Sequence, residues 1–141
     1  MKTRIAAALC LLAGLVMALS TAQAQTVELK LSSCVPPKHP LNAVGFPLWA
    51  ESIAKESKGT LKVTIFPAQQ LGQAKDHYDM ARDGIADFTY VNPGYTPGRF
   101  PIIAGAELPF LINNGKEGSK AVDEWYRPYA KTEMKDVHYC F

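Results

Sequence analysis

The chain has 141 residues, 48% of them hydrophobic and 20% charged, a composition that excludes a disordered chain. Its formal charge of +2 comes from Lys2 and Arg4; residues 25–141 carry 13 basic and 13 acidic side chains, which excludes a generally basic, nucleic-acid-binding surface. Three Cys and three His, widely scattered, exclude a disulfide scaffold and a Cys-rich zinc module.

Residues 1–24 read as a signal peptide. Lys2 and Arg4 make a positive start, the stretch from Ile5 to Leu19 is apolar apart from Gly14, and Ala22-Gln23-Ala24 offers a small-x-small cleavage site. The apolar run has 15 residues, short of the roughly 20 that a membrane span needs. Cys10 follows Leu9, where lipoprotein cleavage wants a small residue. Residues 25–141 are therefore expected to be exported to the periplasm, and no later stretch is long enough to embed them in a membrane. Cys34 and Cys140 then sit in an oxidising compartment. Buried free thiols are the expectation, with a disulfide as the alternative.

Val27-Glu28-Leu29-Lys30-Leu31 alternates apolar and polar, the period of a strand. Pro36, Pro37 and Pro40 break the chain. Phe46, Trp49, Ala50 and Ile53 predict a helix that begins near Pro47, runs through Lys58 and stops at Gly59. Leu61–Phe66 is a second strand, rich in branched and aromatic residues, ended by Pro67. Ala74, Tyr78, Ala81 and Ile85 mark a second helix, with Gly84 near its end. Residues 86–91 predict a third strand, and Asn92-Pro93-Gly94 a turn. The stretch from Tyr95 to Ala106 reads as loop. Ala121, Val122, Trp125 and Tyr129 predict a third helix, kinked or split at Pro128. Val137–Phe141 has strand character. Alternating strands and helices predict an α/β fold, with a mainly parallel sheet flanked by helices.

In open α/β sheets ligands bind beyond the carboxyl ends of the strands. Three segments should meet there: Ser32 to Pro36, Gln69 to Gln73, and Asn92 to Tyr95. Their hydroxyls, amides, phenol and backbone NH groups suit a polar organic ligand. Catalytic sets are weak. Cys34 and His39 lack a third, orienting group. His77, Asp76 and Asp79 read as a solvated helix surface rather than a metal site. Arg99 either meets a carboxylate or braces its own loop. Phosphate loops and paired His are absent. Phe46, Trp49, Tyr78 and Trp125 sit at core spacing, whereas the loop position of Tyr95 frees it for a ligand.

An ordered series of short motifs then carries a family likeness. It runs from Leu29-Lys30-Leu31 and Pro36-Pro37-Lys38-His39-Pro40 through Ser57–Val63 and Phe66–Gly72 to Arg82–Phe88. Tyr95–Pro101 and Glu107–Phe110 complete it. In this the chain resembles the solute-binding (DctP-type) subunit of a tripartite ATP-independent periplasmic (TRAP) transporter. The resemblance implies a periplasmic-binding-protein-like lobe, one of two that close over a small organic acid and deliver it to a TRAP membrane permease driven by an ion gradient. It implies no enzyme activity and no cofactor. Residues 25–141 would be the first lobe, with the second absent, and with it the Arg that pairs with the ligand carboxylate. The expected ligand-binding set is Ser33, Cys34, His39, Gln73, Asn92, Tyr95 and Arg99. Tyr95, Cys34 and Pro36 hint at a less polar acid, aromatic or branched. Two further readings stand beside it. One is an exported α/β hydrolase or transferase, which would need a nucleophile set. The other is a single-lobe interaction module with an apolar patch at Val137–Phe141.

Overall fold

The computed structural model describes residues 25–140; the expected signal peptide, Cys10 and Phe141 lie outside these. Three strands form one parallel sheet in the order β2-β1-β3. β1 spans Val27–Ser32, β2 Leu61–Phe66 and β3 Phe88–Thr89. β1 runs beside β2 from Val27↔Leu61 to Ser32↔Phe66. On its other edge it pairs with β3 at Leu31↔Phe88 and Ser32↔Thr89. All three strands thus end their pairing at the same edge. Their order makes each βαβ connection a crossover, which needs a helix-length return path.

The connection from β1 begins earlier than the sequence suggests. A π-helical turn over Leu41–Gly45 leads directly into α1, Phe46–Glu56, with Pro47 in its first turn. Asn42 anchors that turn, its amide donating to the carbonyls of Val35 (2.5 Å) and Pro36 (3.2 Å). Pro47 has no N–H to lose at that position. Phe46 is buried, and Trp49 meets Phe88 of β3 edge-on at 4.9 Å, so α1 covers the sheet.

The second connection holds a 3₁₀ turn, Ala74–Asp76, and the short α2, His77–Arg82. Its buried side chains are His77, Tyr78 and Met80, while Ile85 is exposed. His77 is therefore not on a solvated surface, as the sequence suggested. β3 keeps only two of the six expected strand residues, because β1 offers it partners only at Leu31 and Ser32.

The third helix, α3, runs unbroken through Gly115–Glu133 with Pro128 inside it. The expected kink or split does not divide it. Asn114 caps its start by accepting from the N–H of Glu117 at 2.9 Å. The buried row is Gly118, Tyr126 and Ala130, not the expected row through Trp125 and Tyr129, which are 42% and 44% exposed. Tyr126, Ala130 and Met134 join Tyr78 and Phe100 in the main core. Residues 137–140 form no strand. Val137 and Tyr139 pack against that core instead, so they make no exposed apolar edge. Cys34 is half-buried and Cys140 exposed; both are free thiols.

Candidate functional site

The strand pairing continues past the strands as loop hydrogen bonds. The N–H of Ser33 donates to Phe66 O (2.9 Å), that of Ala68 to Val35 O (3.0 Å) and that of Gln69 to Ser33 O (3.0 Å). These bonds lock the segment after β1 onto the segment after β2. They also hold Ala68 and Gln69 at φ +51° and +63°, two consecutive non-glycine residues in the left-handed region. Such backbone costs about 1–2 kcal/mol per residue, and persists only where its surroundings enforce it. The Gln69 side chain then accepts from the N–H of Ala74 at 2.9 Å, closing the turn that leads to α2. Gly72 sits inside this turn because a Cβ there would lie 2.6 Å from the sulfur of buried Met80.

The third segment follows β3. The N–H of Tyr90 donates to Ser32 O at 2.9 Å, extending the β1–β3 ladder by one bond. The Asn92 side chain accepts from the N–H of Gly94 at 3.1 Å and starts a 3₁₀ turn, Pro93–Tyr95. Glu107 packs over the turn so closely that a Cβ on Gly94 would stand 2.8 Å from its carboxylate. Tyr95 leaves this turn half-exposed.

The three segments meet around an open depression of about 400 Å³. Cys34, Val35 and Pro36 form one wall, Gln69, Gln73, Ala74 and Lys75 a second, and Tyr95 a third. Three of the seven expected site residues, Cys34, Gln73 and Tyr95, are thus brought together at the strand ends. The other four stand around them. Ser33, next to Cys34 in the chain, is fully buried, and its hydroxyl has no hydrogen-bond partner among the described residues. His39 accepts from the N–H of Leu41 at 3.2 Å in the adjoining turn. Asn92 caps the turn that carries Tyr95. Arg99 is engaged by Asp79, donating to both carboxylate oxygens at 2.7 and 2.6 Å, with its guanidinium 4.4 Å from the Tyr78 ring centre. The Arg99 hydrogen bonds hold the Asp79 carboxyl below its usual range. Burial pushes the Cys34 thiol up, so it lines the wall as a neutral thiol rather than as a thiolate nucleophile.

Two residues of the site escaped the sequence reading. Lys75 is the one cation lining the depression among the described residues, two positions beyond Gln73. His77 has no exposed surface and ties the site from below. One ring nitrogen, Nδ1, lies 2.9 Å from Tyr90 O and the other, Nε2, 3.3 Å from the Ser32 hydroxyl. A carbonyl only accepts, so Nδ1 carries a proton and donates to Tyr90 O, while Nε2 shares a hydrogen bond with the Ser32 hydroxyl. The ring thus spans the carboxyl ends of β1 and β3.

A larger cavity, about 650 Å³, lies on the other side of β3. Rings of Phe46, Trp49, Phe88, Tyr126 and Tyr139 line it, with Asp87, Asp136 and His138 and, among the described residues, neither Lys nor Arg. That lining disfavours an anionic ligand. It borders the edge of β3 that has no partner strand among the described residues.

Residues 31–138 match the family described as bacterial extracellular solute-binding protein, family 7. A curated relative is the outer membrane transporter protein TsaT of Comamonas testosteroni, 30% identical over 120 residues, 84% of this chain and 34% of that one. Among solved structures, a TRAP solute-binding protein of Rhodoferax ferrireducens with copurified benzoate is 38% identical, with a TM-score of 0.73 over 79% of this chain and 35% of that one. A marine metagenome TRAP protein specific for aromatic acids, holding 3-hydroxybenzoate, is also 38% identical, with a TM-score of 0.75 and the same coverage. One from Bordetella bronchiseptica, with (R)- and (S)-mandelate bound, is 35% identical, with a TM-score of 0.72 over 79% of this chain and 36% of that one. The chain spans about a third of the length of these relatives. It belongs to the bacterial extracellular solute-binding proteins of family 7.

Proposed function

We propose that the protein is an extracytoplasmic receptor that captures a small aromatic carboxylate and hands it to an ion-gradient-driven TRAP permease. The observation that carries this reading is the depression at the strand ends. Its apolar wall, phenol ring, two carboxamides and single cation fit a flat ring bearing one negative group. The family and the aromatic acids held by its relatives support the same choice. Residues 1–24 would export the chain as a cleaved signal peptide, leaving residues 25–141 as one lobe in the periplasm. A second lobe would close on the depression, exclude water and create the surface that the permease reads.

Within this reading Cys34, Gln73 and Tyr95 touch the ligand. Ser33, His39, Asn92 and Arg99 serve the same site by holding the loops from which those three project. The chemistry is binding only, with no bond broken: the raised Cys34 thiol and the turn-bound His39 make no nucleophile–base pair.

Calorimetric titration with benzoate, 3-hydroxybenzoate, mandelate, neutral sugars and simple cations tests the proposal. The aromatic acids alone should bind, and Tyr95→Ala should weaken them about tenfold through loss of ring contact. Binding of only sugars or cations would overturn it.

A further inference from the structure

We propose that Lys75 is the first lobe's own anchor for the ligand's carboxylate, the contact that captures the acid before any closure. The inference rests on the receptor reading and names the group in this chain that recognises the charge. Among the described residues lining the depression, Lys75 is the only charged one. Its side chain is exposed and forms no ion pair among the described residues. The nearby loop cation, Arg99, is occupied by a bidentate contact with Asp79 and by the Tyr78 ring. Asp79 in turn also holds Arg82 at 2.6 Å, so this network has little charge left to offer a ligand.

The position of Lys75 is fixed by its backbone rather than by a partner. It lies in the Ala74–Asp76 turn, whose first N–H is held by Gln69 at 2.9 Å. Gln69 is itself locked to β1 by the Ser33 carbonyl. A flexible ammonium on a rigid turn can follow an incoming carboxylate over several ångströms. At an exposed rim such a charge acts chiefly on the association rate, and salt screens it.

The test uses the protein purified from its own host, with benzoate as the charged probe and benzyl alcohol as its uncharged counterpart. Association and dissociation rates are measured at low and high salt for wild type, Lys75→Met, Lys75→Arg and Lys75→Glu. Lys75→Met should weaken benzoate about tenfold, mainly by slower association, and flatten its salt dependence. Lys75→Glu should weaken it further. Lys75→Arg should stay within about threefold of wild type, and benzyl alcohol binding should be unchanged throughout. Benzoate affinity that is equal in wild type and Lys75→Met, or an equal loss for benzyl alcohol, would overturn the role of Lys75 while leaving the receptor reading intact. A wild-type protein that binds no aromatic carboxylate would overturn both.

Discussion

His77 shows how one buried polar residue can organise a ligand edge. It has no exposed surface, and both its nitrogens are used, one toward Tyr90 O and one toward the Ser32 hydroxyl. Removing it leaves a cavity and orphans two polar groups at the ends of β1 and β3. His77→Ala should therefore lower unfolding free energy by about 3 kcal/mol. His77→Phe restores the volume but neither hydrogen bond, and should still cost at least about 1 kcal/mol. Urea denaturation of the two variants separates these contributions, and a His77→Phe protein as stable as wild type would show that only volume matters. This role was not legible in the sequence. His77 stands beside Asp76 and Asp79 on a helix of six residues, too short to show which face turns inward. The strand ends were legible, because alternation, proline and branched residues act locally. Lys75 was hidden for the opposite reason: nothing local separates a lysine that lines a depression from one that faces bulk water.

Glu133 joins α3 to the loop that follows the site. Its carboxylate accepts from the Tyr126 hydroxyl at 2.7 Å and from the N–H groups of Ile102 and Ile103 at 2.5 and 3.1 Å. Tyr126 is wholly buried, and burial, reinforced by the Glu133 carboxylate, raises its phenol well above the usual tyrosine range. A raised folded-state value means that the folded chain holds this proton after the unfolded chain has lost it. The resulting stability is complete below about pH 10 and falls as pH rises beyond that. Tyr126→Phe removes the titrating group and one hydrogen bond, so it should be less stable at pH 8 by about 1–1.5 kcal/mol. Its deficit should then shrink between about pH 10 and 11, as wild type alone loses this contribution. Thermal melts across that range check the sign, and a constant deficit would rule out Tyr126 as the alkaline-sensitive group. The contact also explains why the sequence misjudged α3. Trp125 and Tyr129 make the heavier apolar face, yet the row of Gly118, Tyr126 and Ala130 faces inward. Gly118 lets Ile112 approach to where a Cβ would stand, and the Tyr126 hydroxyl finds its acceptor, Glu133, about two turns further along the same helix. Hydrophobic spacing alone registers neither close approach nor a buried acceptor.

The molecule offers two concavities, and the bigger one is not the better candidate. Area and volume favour the cavity beside β3, about 650 Å³ and rich in aromatic rings. Charge decides otherwise. Asp87 and Asp136 line that cavity, with His138 but neither Lys nor Arg beside them in the lining, so an organic anion placed there would lose its water and meet two like charges. The smaller depression reverses every term: it carries one lysine and no acid, and sits where three strands end. Its walls come from three separate loops locked together by backbone hydrogen bonds, so it exists before a ligand arrives. An aromatic acid that binds the folded chain must raise its melting temperature, by mass action, whichever concavity it enters. Variants assign the effect to one of them. Benzoate should shift the melt of Tyr139→Ala, in the larger cavity, as far as it shifts wild type, even though that variant melts lower on its own. Gln73→Ala should melt like wild type without ligand, since Gln73 is exposed and its side chain has no hydrogen bond among the described residues, but should lose most of the benzoate shift. The opposite pattern, with the shift lost in Tyr139→Ala and kept in Gln73→Ala, would move the ligand to the cavity beside β3 and leave the strand-end depression as a closing surface alone.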